Sequence, residues 1–207
     1  MLHLLAVCLW QQKTAKAPVD ATTIASESPS LSTVDPIPSS STPFKAVYVT
    51  CSSPFAEVET FVDSCAISYN LDLVRTTPGG LPMKEALQQY KTIDPKIKNI
   101  LVGTRRDDPH GASLQFRTPT DEDWPAFIRV HPIINWTYEL IWEYLREFDV
   151  PYCELYNQGY TSLGSTFNTF PNPALKSDNG HYKPAYELKD GREERYGRII
   201  LPRIPVQ

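Results

Sequence analysis

From Lys45 onward the apolar positions fall into two alternating periods. "KAVYVT", Lys45–Thr50, is a short run rich in β-branched residues and predicts a strand. In the "SSPFAEVETFVDSCAISYN" that follows, Phe55, Val58, Phe61, Val62, Cys65 and Ala66 recur at helical spacing. Ser52 or Ser53 is placed to cap that helix, with Pro54 in its first turn. "LDLVRT", Leu71–Thr76, predicts a second strand, "LPMKEALQQYKTI" a second helix, and "KNILVGT", Lys98–Thr104, a third strand. Strand, helix, strand, helix, strand gives an α/β fold: a parallel sheet with right-handed crossovers, flanked by helices.

Beyond it, "AFIRVHPIIN", Ala126–Asn135, predicts a further strand. "WTYELIWEYLREFD" predicts an amphipathic helix whose apolar face carries Leu140, Ile141, Tyr144, Leu145 and Phe148. "VPYCELY" reads as extended. After it the period fades, and Pro171, Pro173 and Pro184 make a loop-rich C-terminal region.

The first 43 residues follow neither period. "MLHLLAVCLW" is apolar like the core of a signal peptide, but has no basic n-region and no convincing cleavage site. Residues 1–12 are read as the remnant of a buried first helix. Residues 13–43 are rich in Ser, Thr, Pro and Ala and read as a disordered low-complexity insert, because they offer too little apolar surface to offset the entropy of ordering. Residues 44–207 then form the remainder of a single domain. The helix at Met1 lacks the strand and ligand-binding turn that precede such a helix in a doubly wound sheet, so the first strand is expected to be missing.

Composition narrows the function classes. The 207 residues suit one domain, with 41% hydrophobic and 21% charged residues. The net charge of −4 argues against a nucleic-acid or membrane-surface binder, but leaves room for a small anion held by a few arginines. Cys8, Cys51, Cys65 and Cys153 form no C-x-x-C and no zinc-like cluster. Scattered thiols and no bilayer-length apolar run predict a cytoplasmic protein. A monomer is expected.

Three constellations offer chemistry. In "ILVGTRRDDPHG" a strand runs into Gly103, Arg105, Arg106, Asp107 and Asp108, at the sheet edge where open α/β folds bind ligands. Arginine forks suit phosphate, and aspartate suits a hard cation; local ion pairs in a solvated turn are the plainer alternative. In "TPTDEDWPAF", Asp121 and Trp124 suit a flat heterocycle, with the ring stacked and its N–H bound; a loop tryptophan packed on the core is the plainer one. In "GREERYGR", Arg192, Arg195 and Arg198 lie three apart, and one helical turn would put them on one face to clamp a polyphosphate; a solvated basic patch is the alternative. The sequence holds no Walker A, G-x-G-x-x-G or G-x-S-x-G motif.

As a set, "VGTRRDDPHG", "TDEDWPAFIRVHPIINWTYELIWEYL", "VPYCELYNQGYTSLGSTFNTFPNPAL" and "ERYGR" resemble the eukaryotic FAD synthases of the PAPS reductase-like fold, especially the fungal FMN adenylyltransferases. The resemblance runs from about Phe44 to Arg198. It implies an adenine nucleotide alpha hydrolase-like architecture and transfer of AMP from Mg-ATP to FMN, giving FAD and pyrophosphate. It places Val49 beside the adenine, and Gly103 and Thr104 at the nucleotide, with Arg105 facing phosphate. It gives Asp108 to the reacting phosphates and Mg²⁺, Asp121 with Trp124 to the flavin ring, and Arg195 and Arg198 to catalysis at the phosphates. Its partners are the small molecules FMN and ATP.

The family carries an S-x-N-G-G-K-D-type pyrophosphate loop before its "LLHLL"-like helix, and here that helix opens the chain. Impaired adenylyl transfer is therefore expected, with a non-catalytic flavin-binding or regulatory module as the alternative. A PAPS reductase-like enzyme is a weaker one, since nothing matches that enzyme's E-C-G-L-H-like cysteine motif.

Overall fold

The computed structural model describes residues 43–76 and 82–199. The expectations for residues 1–12 and 13–42 lie outside the described residues. The elements are β1 Phe44–Tyr48, α1 Ala56–Ser68, β2 Leu71–Arg75, α2 Met83–Ile93, β3 Asn99–Leu101, β4 Arg117–Pro119, β5 Ile128–Val130 and α3 Tyr138–Glu147, followed by short 3-10 turns.

The expected parallel pairings form, but not as one continuous sheet among the described residues. β1 pairs with β2, Phe44 opposite Leu71 and Tyr48 opposite Arg75. β3 pairs with β5 in parallel, Asn99 opposite Ile128. β4 adds an antiparallel edge to β5 that the periodicity did not predict. Beside β1 and β3, on the edges that pair with no other described strand, lies a cavity of about 610 Å³, lined by both strands and by Phe61, Cys65 and Tyr90. No residue of β1 to β5 is fully buried.

Several boundaries are shorter than the apolar runs. β3 stops at Leu101, although Val102 N–H still donates to the Val130 carbonyl at 2.9 Å; the chain then leaves the ladder at Gly103. β5 stops at Val130, because Pro132 has no N–H to give. The first helix starts at Ala56 with Phe55 as N-cap and no side-chain cap, so Ser52, Ser53 and Pro54 stand before it. Ser53 is used elsewhere: its carbonyl accepts from Thr166 N–H at 2.9 Å, and the two hydroxyls lie 2.7 Å apart.

The core sits in the C-terminal half. α3 is capped by Thr137, whose hydroxyl accepts from Leu140 N–H. Its buried residues are Tyr138 and Trp142, whereas Leu140 and Phe148, expected on the apolar face, are exposed. Trp142 makes edge-to-face contacts with Tyr138, Tyr152, Tyr156 and Tyr186, with ring centroids 5.1 to 6.2 Å apart. Such pairs contribute about 0.5–1.5 kcal/mol each beyond area burial. Leu175, Ala185 and Leu188 close the cluster. The "VPYCELY" segment, expected to be extended, instead enters a 3-10 turn, Glu154–Gln158, which turns Leu155 inward.

Candidate functional site

The loop after β3 folds on itself around Arg105. Asp108 N–H donates to the Arg105 carbonyl at 3.2 Å, and Gly111 N–H to the Asp108 carbonyl at 2.8 Å. His110 takes a left-handed φ of 65° to allow this. A Cβ on Gly111 would stand 1.9 Å from the Arg105 carbonyl oxygen, so the loop closes only on glycine.

Both arginines of this loop are engaged by neighbouring groups of the protein: Arg106 at the exposed surface, Arg105 in the buried base of the loop. Arg106 Nε donates to Asn135 Oδ1 at 2.7 Å, and its Nη1 to the Leu114 carbonyl at 3.0 Å. Arg105 is buried at 5% exposure. Its backbone N–H donates to Asp108 Oδ2 at 2.7 Å and its Nη2 to Asp108 Oδ1 at 2.8 Å; Nη2 also donates to Glu194. Burial pulls the Arg105 pKa down, but the bonds to Asp108 and Glu194 outweigh it and hold the guanidinium above its ordinary value. A single cation thus serves two carboxylates 86 positions apart in sequence (194 − 108). Burial pushes the Glu194 carboxyl above the usual glutamate value, and Arg105 reverses this only in part.

Glu194 is carried by the C-terminal loop, and Asn172 holds that loop. Asn172 is fully buried; its Nδ2 donates to Thr161 Oγ1 at 2.9 Å and to the Glu193 carbonyl at 2.8 Å. Thr161 Oγ1 donates to the Glu194 carbonyl at 2.6 Å. Asn172 Oδ1 accepts from Ala174 N–H, so an asparagine flanked by Pro171 and Pro173 organises the whole segment.

The two loops face each other across a cavity of about 350 Å³. Arg105, Asp107, Asp108, Tyr138, Glu139, Asp190, Arg192, Glu194 and Arg195 are in its wall. Arg105 is neutralised as described, and Arg192 is held by Asp190, with Nη2 to Oδ2 at 2.6 Å. The Arg195 carbonyl accepts from Arg198 N–H at 2.9 Å, while its guanidinium makes no hydrogen bond or ion pair with another described residue.

Arg192, Arg195 and Arg198 do not share a face. Only Gly191–Glu193 is helical, and Arg198 leaves the cavity wall. Its Nη1 donates to the Leu163 carbonyl at 2.9 Å, beside Ser162, and its Nε has no partner among the described residues. Burial and then the charge of Arg195 lower the Arg198 pKa.

The other expected residues lie around this centre. Val49 and Thr50 follow β1, whose end is tied to β2 by Thr50 N–H donating to Thr76 Oγ1 at 3.1 Å. Gly103 and Thr104 precede Arg105; a Cβ at Gly103 would meet only Ile133, at 3.9 Å. Asp121 and Trp124 are in the turn between β4 and β5, apart from the cavity wall. That turn lies along α2: Lys91 sits over the Phe127 ring at 4.7 Å, and Lys84 is paired with Asp123 at 2.8 Å. Asp121 is largely exposed, 3.6 Å from Arg129. Trp124 N–H donates to the Asp121 carbonyl at 2.9 Å.

Asp108 does not fit as the holder of a metal ion. Both of its oxygens are engaged by Arg105, and among the described residues no three His, Cys, Asp or Glu side chains cluster as a cation site. Among these residues no helix is long and apolar enough to cross a membrane.

The family model of the phosphoadenosine phosphosulfate reductase domain matches residues 25–171. A probable FAD synthase of Schizosaccharomyces pombe is 45% identical over 152 residues, 73% of this chain and 56% of that relative. The crystal structure of Candida glabrata FMN adenylyltransferase in complex with FMN and the ATP analog AMPCPP superposes with a TM-score of 0.70 at 28% identity, covering 73% of this chain and 68% of that one. The structure of yeast FAD synthetase in complex with FAD superposes with a TM-score of 0.75 at 25% identity, covering 93% and 74%. The chain spans just over half the length of the S. pombe relative.

Proposed function

We propose that this chain, which belongs to the phosphoadenosine phosphosulfate reductase domain family, is an FMN adenylyltransferase. In this reaction a phosphate oxygen of FMN attacks the α-phosphorus of ATP. A new P–O bond forms, the bond to the β-phosphate oxygen breaks, and pyrophosphate leaves with FAD as the other product. The attacking oxygen is already anionic near neutral pH, so the chemistry needs no strong base. It needs alignment and compensation of charge.

The observation that carries this reading is the placement of Arg195. A guanidinium with no hydrogen bond or ion pair to another described residue stands in the wall of a cavity at the end of a parallel β-strand, which is where such folds bind nucleotides. The likeness to FAD synthases supports the choice of substrates. Arg195 compensates the charge of the phosphates. Arg198, held by the Leu163 carbonyl outside the cavity wall, serves the phosphates together with Arg195. Asp108 acts by fixing Arg105 and the loop, while Gly103 and Thr104 present backbone to the nucleotide and Val49 flanks its base. Asp121 and Trp124 receive the flavin ring. Magnesium enters as Mg-ATP, on the nucleotide's own phosphates. The partners are FMN and ATP, and the protein acts as a cytoplasmic monomer.

A second reading is favoured by one feature: five acids and three arginines line the cavity, and two of those arginines are already neutralised. A flavin-binding module without turnover fits such a wall. Chromatography of FMN incubated with the protein, ATP and Mg²⁺ separates the two. FAD that appears only with ATP supports the enzyme. Flavin bound in equilibrium dialysis with no FAD formed supports the module, and neither result removes both.

A further inference from the structure

Glu194 sits where two distant segments meet one cation. Its carboxylate accepts from Arg105 Nη2, the same nitrogen that donates to Asp108. The Arg105 side chain is 7% exposed, so it has no room to swing to other partners. The Glu194 backbone is fixed from the other side: its carbonyl accepts from Thr161 Oγ1 at 2.6 Å and its N–H donates to the Gly191 carbonyl at 3.1 Å. The next residue is Arg195. A carboxylate in the wall of an anion site repels the ligand, so its presence there calls for a compensating role.

We propose that Glu194 is a positioning residue. Through Arg105 it locks the loop of Asp108 to the loop of Arg195, and so holds Arg195 toward the cavity for a pyrophosphate-type anion. The inference rests on the adenylyltransferase reading given above. Glu194 does not touch the ligand. Its charge weakens anion binding and its geometry strengthens it, and the two effects have opposite signs, which makes the role measurable.

The test titrates inorganic pyrophosphate calorimetrically into the full chain and into Glu194→Gln and Glu194→Ala, at one salt concentration. Glutamine keeps the acceptor oxygen and drops the charge, so E194Q binds pyrophosphate at least as tightly as the unchanged chain. Alanine drops the same charge and also the anchor, and binds at least about tenfold more weakly, within the up to ~10²-fold that misplacing a group by an ångström can cost. In FAD formation, kcat of E194A falls by at least about tenfold, and E194Q brings it back to within about threefold. Where E194A fails to fold, Glu194→Asp replaces it. That variant keeps the charge but withdraws the oxygen by one methylene, and the same loss is expected.

Pyrophosphate binding by E194A as tight as by E194Q, with both tighter than the unchanged chain, overturns the positioning role and leaves Glu194 as mere charge. A chain that binds no pyrophosphate and makes no FAD overturns the reading of the site itself, and the positioning role with it.

Discussion

The Arg105 carbonyl oxygen occupies the place a Cβ on Gly111 would take, with 1.9 Å between the two. The clash is with backbone, so no rotamer relieves it. Gly111→Ala must therefore open the loop, and opening it withdraws Asp108 from Arg105. We expect a loss of about 1–3 kcal/mol in urea unfolding, as for overpacking at a closed site. Pyrophosphate affinity should fall by about tenfold as the cavity wall moves. Unchanged stability and affinity would show that the loop is looser than described.

Arg105→Met removes the one cation shared by Asp108 and Glu194. Two carboxylates are then left facing each other. The expected cost is about 2–4 kcal/mol, toward the lower end for a broken buried pair because both acids keep partial access to water. Burial already holds the Glu194 carboxyl above the ordinary glutamate value and loss of Arg105 raises it further, so the destabilisation should shrink as pH falls through that raised value, which a urea series over pH reads directly.

How legible was this centre in the sequence? β1 and β2 were plain, because "KAVYVT" and "LDLVRT" are short β-rich runs with clear ends. β4 was not, since Arg117-Thr118-Pro119 is a polar edge strand closed by proline and carries no apolar period. The face of α3 was misread for a related reason. Periodicity weighed Leu140 and Phe148 as core, but burial is decided by what packs opposite. The partners of Tyr138 and Trp142 are Tyr152, Tyr156, Ala185 and Tyr186, all from segments with no regular period. Charge at Arg105 was visible, but its partner was not: Glu194 lies 89 positions further on. An asparagine between two prolines at Asn172 was the one local hint of a hub, and it is weak without the fold.

Gly164 lies against Arg198: a Cβ there would stand 2.3 Å from Nη2. Here the obstacle is the end of a flexible side chain. Gly164→Ala should therefore cost little stability, within about 1 kcal/mol, while moving the guanidinium off the Leu163 carbonyl. If Arg198 serves the phosphates, FAD formation falls by about tenfold with an unfolding midpoint close to that of the parent. Equal losses in both would make Arg198 structural.

His131 is 1% exposed, and neither ring nitrogen has a partner among the described residues. Burial, and then the nearby charge of Arg129, lower its pKa. The folded state therefore disfavours the imidazolium. The stability this contributes is fully present above the unfolded histidine value of about 6.5 and is lost as pH falls through the lower folded value. The slope is at most about 1.4 kcal/mol per pH unit for one proton. His131→Phe should flatten the unfolding free energy between about pH 7 and 5 relative to the parent. An unchanged pH profile would place the proton uptake elsewhere.

The most direct measurement quantifies FAD and pyrophosphate in the same mixture of this chain, FMN, ATP and Mg²⁺, beside an Arg195→Ala variant. Adenylyl transfer at this cavity requires the two products in equal amounts, and a fall of about 10²-fold in the variant, the scale of losing one group that stabilises transition-state charge. Pyrophosphate without FAD, no product at all, or an Arg195→Ala variant as fast as the parent would contradict the account.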